Sequence, residues 1–173
     1  MNNKELVKLI LSQHPLPPTS IHSIAHWARV LENGRKLAQI TGANLLIVEY
    51  FAIFHDSRRF TDGFDPGHGR RGAKYSRSLR DQLNTISDED FKLLGYACKH
   101  HSKGWMDGNV TVQTCWDSDR LDLPRAHIKI DPDRLCTDAA KIAEIIQWAT
   151  ERSIDRIIPH LVKDEWDCVI DRD

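Results

Sequence analysis

No stretch of this chain stays apolar long enough to cross a bilayer. The longest run, Leu45–Phe54, is broken by Glu49 and falls short of the roughly 20 residues a spanning helix needs. The opening Met-Asn-Asn-Lys-Glu-Leu lacks the layout of a secretory leader, so a cytoplasmic location is the expectation. Cysteine is scarce: Cys98, Cys115, Cys136 and Cys168 form no C-x-x-C pair, and their scatter suggests no disulfide framework. Net charge is nearly absent too. The formal value of -1 leaves no chain-wide field to recruit nucleic acid or an anionic membrane, so neither is an expected partner. Any anion binding must come from a local basic cluster. Internal repeats, low-complexity tracts and long linkers are missing. So is any clean period-two alternation over a strand's length, which makes the fold class all-α.

What is present is globular: 173 residues, 40 % apolar and 28 % charged, suffice for one domain with its own core. Residues 4–13 form a short amphipathic helix, stopped by Pro15, Pro17 and Pro18. Ser20 caps a long helix running to Thr41, where Gly42 ends it. Asn44 caps an apolar helix that ends near His55-Asp56. Four glycines and Pro66 within 63–72 require a loop, followed by a polar helix over 71–83. Ser87 with Asp90 reads as a capping box for a helix through His101. Helices are also predicted at 112–122, 138–149 and 153–170, the last with a break near Pro159.

Histidine is the unusual component, with nine residues. His55 continues the stripe Leu45, Val48, Ala52 of the apolar helix, and Asp56 follows it. A histidine and a carboxylate at the end of a buried helix are costly unless paired or bound to a metal. His22, His26, Arg29 and Asn33 form one polar stripe on the preceding helix, and antiparallel packing would bring His26 to His55. As a stripe it also suits an exposed face, above all at Arg29 and Asn33. His101 lies on a stripe with Phe91, Leu94 and Cys98, and His100 on its neighbour with Leu93 and Ala97, so periodicity leaves open which one faces inward. Residues 116–122 carry three aspartates, of which Asp119 or Asp122 could simply pair with Arg120.

The ordered set "HWARV" at 26–30, "FHDSRR" at 54–59, "HGRRGA" at 68–73, the histidine pair at 100–101 before Gly104, and "WDSDRLD" at 116–122 resembles the HD-domain metal-dependent phosphohydrolase superfamily. The resemblance covers the core 20–124, leaving helices over 125–173 to cap it or to form the face of a homodimer. It implies a helical domain whose metal site lies between core helices, with His26, His55, Asp56 and Asp117 as ligands. Its commonest substrates are nucleotide-like, and it also contains di-iron oxygenases. The basic Ser57-Arg58-Arg59 departs from the glycine or apolar residues that often follow the His-Asp pair.

Mixed imidazole and carboxylate ligands suit Mn, Fe, Co, Ni or Zn better than Mg, with one or two ions per chain. His68, His100 and His101 are candidates for a second metal or for proton transfer and phosphate binding. The glycine-rich surroundings of His68 favour one metal, and the spacing before Gly104 favours His101 for the pocket. Arg29 and Arg59 are the candidate phosphate-binding residues. Gly67 to Gly72 matches G-x-G-x-x-G, but no strand precedes it, so a dinucleotide site is not expected. The five tryptophans form no spaced base-stacking platform. The functional expectation is therefore a hydrolase of a small phosphorylated substrate, with an HD-type oxygenase and a non-catalytic metal-binding module as alternatives.

Overall fold

In the computed structural model, which describes residues 1–83 and 86–170, every regular element is helical. The helices are α1 (Asn3–Ser12), α2 (Ile24–Thr41), α3 (Leu45–Phe54), α4 (His68–Ser78), α5 (Asp88–His100), α6 (Val110–Arg120), α7 (Ala143–Ile154) and α8 (Leu161–Asp164). Their starts follow from side chains that satisfy orphan N–H groups. Asn2 and Glu5 form a reciprocal capping box on α1, and Asn44, Ser87 and Asn109 accept from the first turns of α3, α5 and α6. Ser20 does not cap α2. Its hydroxyl donates to Asp62 and accepts from His22, and the helix begins four residues later. None of the helices among the described residues is long and apolar enough to cross a membrane.

The α2–α3 hairpin forms the centre of the bundle, with Trp27, Ile47, Phe51, Phe54 and Trp116 of α6 fully buried around it. The antiparallel run sets the start of α2 beside the end of α3, which is what carries His26 to His55. The stripe His22, His26, Arg29, Asn33 is not an exposed face: all four are buried.

Residues 63–72 are only partly a loop, because α4 begins inside them at His68. Gly69 and Gly72 act as contact points rather than hinges. A Cβ at Gly69 would overlap the Cys98 carbonyl oxygen of α5, and one at Gly72 the Phe54 carbonyl oxygen of α3. Only a residue without a side chain lets the three backbones meet this closely.

The C-terminal region is less helical than its pattern predicts. Residues 138–141 are turns before α7, and within the predicted 153–170 only the end of α7, residues 153–154, and Leu161–Asp164 are helical. This region builds a second apolar cluster, in which Leu135, Ala140, Ile145 and Ala149 pack on Leu37 of α2 and Leu121.

Candidate metal centre

Five helices deliver polar side chains to one buried locus. His26 comes from the first turn of α2, His55 caps α3, and Asp56 follows it. His68 opens α4, His101 caps α5, and Asp119 lies in the last turn of α6. Three of these helices end there and two begin there, so helix-end charges of both signs meet at the locus.

Hydrogen bonding fixes the imidazoles. His26 Nδ1 lies 2.7 Å from the Asp122 carboxylate, and His55 Nδ1 lies 3.1 Å from the Phe51 carbonyl oxygen. His101 Nδ1 lies 2.8 Å from the Cys98 carbonyl oxygen, and His68 Nδ1 contacts that of Asp65. The Nδ1 partners of His26, His55 and His101 only accept, so those Nδ1 atoms carry the proton and turn the Nε2 lone pairs inward; His68 Nδ1 faces both the Asp65 carbonyl oxygen and the Arg59 Nη1 donor, and the shorter carbonyl contact sets the same tautomer. These lone pairs confront each other in two pairs: His26 and His55 at 3.0 Å, and His68 and His101 at 2.8 Å. Facing lone pairs repel, and a cation between the nitrogens would relieve this.

The carboxylates complete two groups. Asp56 Oδ2 is 3.7 and 3.8 Å from Nε2 of His26 and His55, and Asp119 Oδ1 is 3.5 and 3.8 Å from the same atoms. Asp56 Oδ1 is 3.3 and 3.6 Å from Nε2 of His68 and His101. Transition-metal bonds of about 2.0–2.2 Å place neighbouring ligand atoms roughly 3.0–3.5 Å apart, close to these separations. Asp56 Oδ1 is moreover buried without a hydrogen-bond partner, a costly state that a cation would relieve. Two sets, His26-His55-Asp56 and Asp56-His68-His101, could therefore each hold a metal ion, sharing one carboxylate.

The electrostatics agree. Burial pushes the imidazoles of His55 and His68 below their ordinary range and that of His26 to about 3, which keeps them neutral and able to ligate. Burial alone would lift the Asp56 carboxyl, but the facing imidazoles of His55, His101 and His68 hold it well below the usual range. Asp119 is lowered to about 2, burial again being outweighed by His55, His101 and His26. His101 is the exception. Burial lowers it, yet Asp56, too distant for a hydrogen bond but near enough to act as a charge, together with Asp119, raises it overall.

Three candidates lie elsewhere. Asp117 faces away from the cluster: it accepts from Cys136 N–H at 2.7 Å and from Thr137 N–H and Oγ1 at 2.8 Å each. Two residues along a helix turn a side chain through about 200°, so α6 cannot aim both Asp117 and Asp119 at one point, and Asp119 takes the position. Arg29 is clamped on Asp122 at 2.7 and 3.0 Å and donates to the Ile157 carbonyl, so it steadies the carboxylate behind His26 rather than meeting a substrate. His100 points outward and stacks on Trp105 at 4.6 Å. Arg59 is well placed, with Nη1 3.2 Å from the His68 ring and 3.8 Å from Asp56.

Alanine at Asp117 would orphan two N–H groups, and the expected loss is about 2–4 kcal/mol in a denaturant melt. Alanine at Asp119 is expected to leave the melt nearly unchanged and to weaken metal uptake. The reverse pattern would restore Asp117 as the ligand.

A cleft of about 820 Å3 opens over Asp56, His68, His101 and Asp119. Arg59, Arg125, Lys129 and Arg134 contribute cations to its wall, and Leu123, Ile128, Ile130 and Leu135 an apolar side. His22 also lines it, with Nδ1 on Asp62 at 2.8 Å. Asp119, Asp122, Arg125 and His22 escaped the motif reading. The signals available for them were helical phase across 117–122 for the aspartates and the i, i+4 spacing to His26 for His22. No protein-family model, curated protein or solved structure matches the chain.

Proposed function

We propose that the chain is a metal-dependent hydrolase of phosphate esters or anhydrides, working with two divalent transition-metal ions per chain. The observation that carries this reading is the convergence of four Nε2 lone pairs on a shared carboxylate at the floor of a cation-walled cleft. His26, His55, Asp56 and Asp119 would hold one ion, and Asp56, His68 and His101 the other. When bound, such ions lower the pKa of water and neutralise charge developing on a phosphoryl group.

The chain's own residues supply the rest. Arg59 and Arg125 bring positive charge to the cleft wall; their guanidiniums donate to the carbonyl oxygens of Thr61 and Gly63 and of Ile21 and Asp122, so they would attract an anionic substrate by charge. The apolar wall holds the organic part of the substrate and limits water. His22 carries its proton on Nδ1 toward Asp62, leaving the Nε2 lone pair to accept a proton from the attacking water. Alanine at His22 is expected to lower kcat by about 10²-fold or more with metal content unchanged, and an unchanged kcat would remove it from this role.

The deciding experiment is metal analysis of tag-free protein followed by assay on a panel of phosphate monoesters, diesters and anhydrides. Two equivalents of metal and metal-dependent phosphate release are expected. One equivalent would refute the two-ion centre. Full loading without turnover on the panel would identify a binding module. The shared carboxylate also suits a di-iron oxygenase, and oxygen consumption by iron-loaded protein would select that reading instead.

A further inference from the structure

Away from the metal cleft, α4 and α5 form a second groove of about 720 Å3 on their outer side. Arg70, Lys74 and Arg77 fall at i, i+4 and i+7 along α4, and Lys92 and Lys99 face them from α5. All five are exposed, and among the described residues no carboxylate lines the groove. Several arginines elsewhere are engaged: Arg35 with Glu49 and Glu165, Arg71 with Asp65, Arg80 with Asp88, Arg152 with Glu32. Among the described residues the five groove cations make no ion pair and no side-chain hydrogen bond. Like charges gathered without counter-charges repel, so the groove is built for an anion of several charges.

At one end the lining adds the rings of Tyr96 and His100, with Trp105 beside them. Tyr96 packs on His100 at 4.7 Å, and His100 stacks on Trp105 at 4.6 Å, with Tyr96 and Trp105 both well exposed. Between charges and rings lies Gly95, where a Cβ would touch nothing within the chain. A glycine inside a helix is unfavourable relative to alanine, and no internal contact accounts for this one. It keeps the groove floor open.

We propose that this groove binds single-stranded nucleic acid, with phosphates on Arg70, Lys74, Arg77, Lys92 and Lys99 and unpaired bases on Tyr96 and Trp105. Exposed ring faces stack on bases only where the bases are unpaired. The concave walls suit a thread of charge better than a flat lipid surface. The chain-wide balance of charge argues against a nucleic-acid partner, but the fold brings together cations from two separate stretches. The proposal is independent of the hydrolase reading.

The test is fluorescence anisotropy of labelled oligouridylate and oligothymidylate with the full chain between about 50 and 200 mM salt. Binding should weaken with salt with a logarithmic slope of about -3.5, because each of five neutralised single-strand phosphates contributes roughly -0.7. The double variant K74E/R77E should bind at least tenfold more weakly, and Y96A about fivefold or more weakly. Both should keep wild-type melting temperature and metal content. G95A should melt higher than wild type, and G95L should bind more weakly. Absence of single-strand binding, or equal affinity in wild type and K74E/R77E, overturns the proposal. Inorganic polyphosphate competing as well as oligonucleotide with Y96A unchanged overturns the base contacts and with them the nucleic-acid assignment. Stronger retention on phosphatidylserine vesicles than on oligonucleotide would reassign the face to membranes.

Discussion

Alanine at Asp56 is expected to abolish loading of both metal groups at once and to lower turnover by at least about 10³-fold, since an ion acting as a Lewis acid supplies several kcal/mol. The size of the effect follows from position. Asp56 alone turns one oxygen to the His26–His55 pair and the other to the His68–His101 pair. Alanine at His68 or His101 should remove one equivalent and spare the other. The fold should survive at position 56, because Oδ1 makes no hydrogen bond and its loss removes a buried charge. Circular dichroism should remain helical while metal analysis falls from two equivalents toward none. A variant that keeps both metals, or full metal-dependent turnover, would refute the shared-carboxylate centre.

Metal-free protein is expected to lose stability steeply as pH falls from about 6.5 to about 4. His26 and His55 are fully buried, and burial holds both below their ordinary value, His26 at about 3. Below pH 6.5 the unfolded chain binds protons that the folded chain refuses, so acid favours unfolding. Two such groups give a slope of about 3 kcal/mol per pH unit at its steepest. His101 acts in the opposite direction and in a different window. Its raised value contributes stability below pH 6.5 that is lost as pH climbs through its folded value. The metal-free protein should therefore be most stable near neutrality. Bound metal should shift the acid limb downward until protons displace it. Chemical melts at several pH values with chelator present would measure this, and a flat stability between pH 7 and 4 would mean these imidazoles are not held neutral.

Much of the site was legible because helical period and a polar residue inside an apolar pattern are strong signals. Asn44, Val48, Ala52 and His55 define a capped helix with a histidine in its core face, and the α2 stripe brings His26 against it. What the pattern could not resolve was phase within a short polar segment. Three aspartates in 116–122 look equivalent until the helix is built, and the partner that takes Asp117, Thr137, lies 20 residues on in a turn with no motif. Arg29 failed as a phosphate ligand for a similar reason: its partner Asp122 is 93 residues away. The glycines of 67–72 carry the meaning of a loop in isolation. Here two of them mark backbone contacts, which only the neighbouring helices reveal.

Those contacts divide the centre into two halves of different mechanical character. One half rests on α2, α3 and α6, whose side chains interlock through the main core. The other depends on how an eleven-residue helix seats against bare carbonyl oxygens at Gly69 and Gly72. A single methyl group at either glycine would lever α4 outward and draw His68 away from His101 while leaving the His26–His55 half assembled. The two candidate metal groups thus have a natural fault line between them, running along the seat of α4 and not through the ligands themselves.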